Sequence, residues 1–170
     1  MHLATTVLCA VVAAQAGLLF TAPKSWQPRG AASSMRVAEF AVPRAPGDSE
    51  DAEVIVYYFG GTGGSVDANI ERWVGQFRSD NGAPVAPPER MSSVTGNLKI
   101  TAIDVAGTYV AEVRPGAPER FNKPNFRMRA AVIETPKGPY FIKLTGPART
   151  VSRTLESGDF DQFIKSLRFN

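Results

Sequence analysis

The stretch Glu53-Val54-Ile55-Val56-Tyr57-Tyr58-Phe59 carries the strongest strand signal in the sequence, and the fold is predicted outward from it. β-Branched and aromatic residues fill both of its alternating faces, and a run of glycines follows it. A strand that is apolar on both faces needs cover above and below. We therefore predict a central strand in a sheet with a layer packed on each side.

The segment after this strand predicts a helix. The run Gly60-Gly61-Thr62-Gly63-Gly64-Ser65 has the composition of a turn, and apolar residues then recur at helical spacing. Ser65 is well placed as the N-cap, because its hydroxyl can accept a hydrogen bond from a free N–H of the first turn. The predicted apolar stripe consists of Val66, Ile70, Trp73, Val74 and Phe77.

Weaker strand signals lie on both sides of this strand and helix, separated by two loops. The loops are predicted at 80–97, where three prolines exclude regular structure, and at 114–125. A turn at Gly107 is expected to separate two strands. The predicted strands are 18–23, 35–42, 98–105 and 108–113.

The C-terminal third predicts a hairpin and a final helix. Two β-prone runs, 127–135 and 139–145, flank Pro136-Lys137-Gly138 and should pair antiparallel. The apolar residues Phe160, Phe163, Ile164 and Leu167 then follow helical spacing, with Ser157 or Asp159 available as cap.

One hydrophobic core can hold all of these elements. The chain has 170 residues, and no linker divides the segment 17–170, so we expect a single domain there. The predicted class is α+β: an antiparallel sheet of about six strands sandwiched by α-helices.

The order of these elements resembles the PsbP-like superfamily. The likeness includes Trp26 soon after a first short strand, the helix after the third strand, the closing hairpin and the terminal run 160–169. The resemblance implies an antiparallel sheet sandwiched between helices. Metal-linked roles of plant members use histidine and carboxylate ligands, and no histidine follows His2 here, so no functional residue is carried over.

The first sixteen residues predict a signal peptide. An apolar run ends in Ala14-Gln15-Ala16, the small-x-small pattern that signal peptidase reads, so we expect cleavage before Gly17. The run is shorter than the roughly 20 residues of a membrane helix. Export to the periplasm or the extracellular space follows. Lipoprotein anchoring through Cys9 is the weaker alternative, because this cysteine lies inside the apolar run.

The inventory of side chains argues against the common kinds of catalysis. The one histidine, His2, and the one cysteine, Cys9, both leave with the predicted signal peptide. Thiol nucleophiles, Ser-His-Asp triads and histidine-based zinc sites then have no residues to form them, so we predict no catalytic residues, no metal site and no cofactor. Carboxylate chemistry stays open, with Asp104 and Glu134 on strands as the residues that could face a cleft.

The glycine run and two arginines form the predicted ligand site. Backbone N–H groups of Gly63, Gly64 and Ser65 could contact an anion at the start of the helix, and Arg127 and Arg129 share one strand face. The run matches neither the P-loop nor the dinucleotide fingerprint, since no lysine precedes the helix and Val66 replaces the third glycine. A purely structural turn is the competing interpretation.

A basic surface is a further candidate site. Basic residues gather around the second loop and the hairpin, at Arg114, Arg120, Lys123, Arg127 and Arg129, where they could contact anionic lipid headgroups or an acidic partner.

The aromatic residues Trp26, Tyr57, Tyr58, Phe59 and Trp73 could line an apolar pocket, although core packing also explains them.

Nucleic-acid binding is not expected. The net charge is only +3, from 19 basic and 16 acidic side chains, and the basic residues are scattered along the chain.

The leading hypothesis is an exported, non-catalytic binding or accessory module of the bacterial cell envelope that meets an envelope protein through its surface loops. The alternative is a protein that binds an anionic small molecule, or a carboxylate-based enzyme.

Overall fold

A computed structural model describes residues 17–170, and the predicted signal peptide lies outside them. The helices are α1 (Val66–Val74), α2 (Ala148–Glu156) and α3 (Asp159–Lys165). The first five strands are β1 (Leu18–Leu19), β2 (Gln27–Arg29), β3 (Arg36–Val42), β4 (Ala52–Tyr58) and β5 (Phe77–Arg78). The last five are β6 (Met91–Thr95), β7 (Leu98–Tyr109), β8 (Lys123–Glu134), β9 (Tyr140–Pro147) and β10 (Arg168–Phe169).

Residues 17–170 fold as an α+β domain around an antiparallel sheet of eight strands. The order is β2-β3-β4-β9-β8-β7-β5, and β6 also pairs with β7, while β1 and β10 form a separate two-stranded sheet. The prediction of about six strands was therefore too low. The strands it missed span two to five residues, too few for an alternating pattern to stand out.

The strongest local signals are confirmed. Strand β4 lies inside the sheet between β3 and β9, and β8 and β9 form the predicted antiparallel hairpin. Strand β9 also pairs with β4, so that Tyr57 stands opposite Phe141 and Ile55 opposite Lys143. The final hairpin therefore lies at the centre of the sheet.

The predicted turn at Gly107 is wrong, because β7 runs unbroken from Leu98 to Tyr109. Gly107 has a φ of 150° and lies at a register shift against β8. A Cβ there would stand 2.4 Å from the carbonyl oxygen of Arg78. The glycine therefore permits a bulge beside β5 rather than a turn. The predicted loop at 80–97 likewise contains β6.

Helix α1 begins where predicted, whereas the C-terminal helices differ from the prediction. The hydroxyl of Ser65 accepts a hydrogen bond from the backbone N–H of Ala68, as the N-cap prediction required. The predicted stripe overran the helix, since Phe77 lies in β5. Neither Ser157 nor Asp159 caps α3, because α2, which was not predicted, ends at Glu156 and left-handed Gly158 holds the N-cap position.

The helices cover the two faces of the sheet unequally. Helices α2 and α3 pack on one face in a large apolar core that includes Trp26, Phe40, Phe160 and Phe163. Helix α1 packs on the other face over a smaller core. Trp26 is buried in the larger core, and its indole N–H donates to the hydroxyl of Thr154.

Candidate functional site

Helix α1 leaves part of its face of the sheet uncovered. Its buried residues Ile70 and Trp73 pack over β7 and β8. The residues of β3, β4 and β9 that point to the same side are mostly polar, as the register places Arg36 opposite Tyr57 and Glu39 opposite Ile55. A polar, partly open surface therefore adjoins the apolar core under α1.

A cavity of about 170 Å³ lies where α1 meets this polar surface, and we call it the α1 pocket. Strands β4 and β9, the residue after β4, helix α1 and the turn after it supply its walls. Its lining residues are Tyr57, Phe59, Arg72, Trp73, Gln76, Phe141 and Lys143.

Aromatic rings form one side of the α1 pocket. Tyr57 and Phe59 stack with their ring centroids 5.9 Å apart, and Phe59 lies 5.6 Å from Phe141. Trp73 meets Phe141 edge to face at 6.1 Å. Such a wall can contact an apolar or planar group.

Lys143 brings a charge into this aromatic setting. Its ammonium donates to the side-chain oxygen of Gln76 at 3.1 Å. Among residues 17–170, no carboxylate lies within 4 Å of it. The pKa of Lys143 is lowered to about 8, chiefly by loss of hydration; Glu53 partly opposes this shift, and Arg72 contributes to it.

Arg72 is the second cation of the α1 pocket. Its guanidinium donates to Asn69, whose side-chain amide donates to the carbonyl oxygens of Gly63 and Ser65, each at 2.8 Å. Buried Asn69 thus connects the glycine run to Arg72. In the described part of the chain no acidic group forms an ion pair with Arg72 either.

Other charged groups around the pocket are paired or desolvated. Arg36 forms a 2.6 Å ion pair with Glu39, and its guanidinium lies 5.8 Å from the ring centre of Tyr57. Desolvation raises the pKa of the Tyr57 hydroxyl. Perturbed titratable groups gathered beside a cavity are typical of functional sites.

Gly63 of the predicted ligand site lies against the aromatic wall of the α1 pocket. Gly63 has a φ of 113°, and a Cβ there would stand 2.9 Å from the ring of Phe141. Glycine is needed because the backbone approaches this ring closely. Gly64 is likewise left-handed, and the hydroxyl of Ser65 is occupied by its cap hydrogen bond.

Arg127 and Arg129 lie on the opposite face of the sheet from the glycine run. They do share a face, since both bind Asp104 on β7 at 2.8 Å, and Arg127 also donates to Ser152 of α2. Although burial opposes it, hydrogen bonding to the two arginines lowers the pKa of Asp104. The two halves of the predicted ligand site are therefore not brought together.

The other sequence candidates are dispersed. Within the basic group, Arg120 pairs with Glu112 and Lys123 with Glu50. Glu134 pairs with Lys99, away from Asp104, so the two strand carboxylates do not form a catalytic pair.

Three of the predicted aromatic residues, Tyr57, Phe59 and Trp73, do line the α1 pocket. Tyr58 and Trp26 belong to the core on the other face.

Four residues that line the α1 pocket were not predicted from the sequence: Arg72, Gln76, Phe141 and Lys143. The available signal was Lys143 itself, a cation in the middle of the apolar run 140–145.

In residues 17–170 no group of three His, Cys, Asp or Glu side chains is arranged to hold a metal ion. No helix of the described region is long and apolar enough to cross a membrane.

The sequence matches no protein-family model, and no curated protein matches it. A solved structure of a protein of unknown function from Pseudomonas aeruginosa is similar at 14% identity and a TM-score of 0.48. That similarity covers 89% of this chain and 91% of the other.

Proposed function

We propose that the chain is a non-catalytic binding module whose α1 pocket holds a small anion attached to an apolar body, with a carboxylate as the simplest case. The observation that carries this proposal is Lys143, a partly buried cation whose hydrogen-bond partner is a neutral amide. A desolvated cation is costly unless an opposite charge accompanies it. An anionic ligand would supply that charge.

The remaining walls define the kind of ligand. Arg72 adds a planar guanidinium that can hold a carboxylate through two hydrogen bonds. The rings of Tyr57, Phe59 and Phe141 offer an apolar surface beside the cations. The cavity of about 170 Å³ is smaller than a typical drug-sized pocket of roughly 300 Å³ or more, which suits a fragment-sized molecule or one end of a longer one.

A neighbouring cavity on the same surface has the opposite charge. It measures about 190 Å³ and is lined by Glu39, Asp51 and Glu53 together with Arg29. The acidic residues of this second cavity repel an anion. The proposed anionic ligand should therefore bind in the α1 pocket rather than here.

Thermal shift with matched ligands tests the proposal. We expect benzoate and phenylacetate to raise the melting temperature, whereas benzylamine and benzyl alcohol leave it unchanged. A ligand at ten times its dissociation constant adds about 1.4 kcal/mol, which corresponds to about 3–5 °C for a domain of this size. Equal shifts from the acid and the alcohol would overturn the role of the cations.

Variants locate the site. Lys143→Met and Arg72→Gln should each remove most of the benzoate shift. Arg90→Gln is the matched control, because Arg90 is an exposed arginine that pairs with Asp67 outside the α1 pocket. If the control loses the shift as fully as the pocket variants do, benzoate binds elsewhere.

A second candidate function is an accessory module that meets an envelope protein through its two loops. Exposed apolar side chains favour it: Met91 and Val94 lie in the first predicted loop region, and Val113 precedes the second. A pull-down from envelope extract should lose its captured protein with Val94→Asp and keep it with Lys143→Met.

The compartment and the fold family are proposed from the sequence. The pattern of residues 1–16 supports export into the bacterial envelope, and the helix-covered antiparallel sheet supports a PsbP-like sandwich. N-terminal sequencing of the secreted protein should begin at Gly17. A mature chain that starts well before this residue contradicts cleavage there.

A further inference from the structure

Lys143 is an amine as well as a cation, and the α1 pocket sets it apart from the other lysines. Its side chain is partly buried between the aromatic wall and α1, where Gln76 accepts one of its hydrogens. The remaining lysines are exposed or lie in ion pairs with Glu134 or Glu50. They are Lys24, Lys99, Lys123, Lys137 and Lys165.

We propose that Lys143 captures a carbonyl compound as an imine, and that Arg72 binds a carboxylate on the same molecule. The ligand class is then an aldehyde acid or an oxo acid with an apolar or aromatic body. This inference rests on the proposed anion pocket and adds a covalent bond to it. It describes reversible attachment, not turnover.

The chemistry needs a neutral amine. The nitrogen lone pair of Lys143 adds to the carbonyl carbon, and a proton moves from the nitrogen to the carbonyl oxygen. The resulting carbinolamine loses water, which leaves a C=N bond to the lysine. One amine and one carbonyl thus give one imine and one water, and no oxidant or reductant takes part.

The surroundings of Lys143 favour this reaction. Apolar walls and a neighbouring cation are the two features that activate lysines for imine formation. Three charged groups act on its charge, Arg72 from α1, Arg36 from β3 and Glu53 from β4. The titratable hydroxyl of Tyr57 lines the same cavity. Its pKa of about 8 leaves half of the amine neutral near pH 8, which is on the order of a hundred times the fraction for an ordinary lysine.

The carboxylate would give the reaction its selectivity. Arg72 lines the same cavity as Lys143, so a ligand held by its carboxylate presents its other end within the pocket. The rings of Tyr57 and Phe59 can lie against a planar body between the two groups. A neutral aldehyde lacks the first of these contacts and should react more slowly.

Reductive trapping of the purified protein tests the inference. The probe is 4-carboxybenzaldehyde with sodium cyanoborohydride, and peptide mapping by mass spectrometry reads the modified lysine. We expect Lys143 to be labelled at least about tenfold faster than exposed Lys24, because more of its amine is neutral. Benzaldehyde, which lacks the carboxylate, should label Lys143 more slowly than 4-carboxybenzaldehyde does, whereas the two probes should label Lys24 at similar rates.

Two controls keep the result interpretable. Lys143→Arg retains a cation without a nucleophilic amine, so it should abolish the fast adduct and keep part of the benzoate thermal shift. In the wild-type protein, excess benzoate should slow the labelling of Lys143 and leave the labelling of Lys24 unchanged. Labelling spread equally over the exposed lysines, with no protection by benzoate, overturns the inference.

The outcomes separate the two proposals. A benzoate shift without a Lys143 adduct refutes imine capture and leaves the anion pocket intact. A Lys143 adduct without any benzoate shift supports the reactive amine and refutes the anion pocket as the proposed function.

The pH profile adds a second discriminator: labelling should speed up from pH 7 to 8.5, whereas benzoate affinity should fall as Lys143 loses its charge.

Discussion

The two faces of the sheet in this protein differ in what they contain and in what they leave open. The face under α2 and α3 is closed by a continuous apolar core, in which Phe40 meets Trp26 and Phe163. The face under α1 is only partly covered, and beside the helix it holds Lys143 at the edge of an aromatic cavity.

Asp104 on the closed face and Lys143 on the open face differ in the partners of their charges. On the closed face, Asp104 binds both Arg127 and Arg129, and Ser152 accepts a further hydrogen bond. On the open face, Lys143 has a neutral partner. We infer that stability is concentrated on the first face and that the second gives up some stability for binding, as functional sites commonly do.

The largest predicted effect comes from removing an aromatic ring on the closed face. Phe163 is fully buried among Phe20, Trp26 and Phe40. Phe163→Ala should lower the free energy of unfolding by about 3–5 kcal/mol, because it leaves a cavity in that core. Urea denaturation followed by circular dichroism measures the loss.

The matched variant on the open face is Phe59→Ala. Phe59 is only partly buried and borders the α1 pocket, so its truncation should cost about 1 kcal/mol or less. Equal losses for the two variants would remove the proposed division between a stabilising face and a binding face.

The next effect concerns the ion network on the closed face. Asp104→Ala leaves two partly buried arginines without their common acceptor and should cost about 1–3 kcal/mol. Glu134→Ala, which breaks an exposed pair with Lys99, should cost less than about 0.5 kcal/mol.

The acid response checks the same network. Because the pKa of Asp104 is lowered in the folded state, its contribution is present above about pH 4 and is lost as the pH falls through the folded value. The stability of Asp104→Ala should therefore fall less steeply in acid than that of the wild type. If the stability of the wild type and of Asp104→Ala falls equally steeply with decreasing pH, the ion network does not contribute to stability in this way.

How much of each face the sequence predicts depends on the range of the interactions. Strand β4 and the β8–β9 hairpin are encoded locally, by alternating β-prone residues and a Pro-Lys-Gly turn, and both predictions are confirmed. Ser65 as N-cap is equally local. The shared face of Arg127 and Arg129 follows from strand alternation alone.

Long-range features escaped the prediction. Asp104 reaches the two arginines through the register of β7 against β8, which no local pattern specifies. Gly107 gives the same signal for a turn and for a bulge, and only its contact with β5 distinguishes them. The α1 pocket forms only when β4 pairs with β9 and α1 packs beside them. The local sequence shows Lys143 only as a single cation in an apolar strand, so it does not predict the pocket.

A smaller effect is expected at the start of α1, which carries Arg72 into the α1 pocket. Ser65→Ala removes the cap hydrogen bond to Ala68 and should cost about 1 kcal/mol. Ser65→Asp restores an acceptor at the cap and should recover most of the loss. Thermal melts of the two variants measure it, and an equal loss for Asp and Ala would show that the cap is not the cause.

The smallest effect should have the opposite sign and bears directly on the open face. Lys143→Met removes a desolvated cation and keeps an apolar stem, so it should leave stability at pH 7 unchanged or raise it by about 1 kcal/mol or less. Folding lowers the pKa of Lys143 from 10.5 to about 8, so the unfolded state binds more protons between these values. Wild-type stability should therefore rise with pH across that interval, and the variant should lose this rise. A variant that is clearly destabilised at pH 7, or that keeps the wild-type slope, would mean that Lys143 is a structural residue rather than a cation held ready for a ligand.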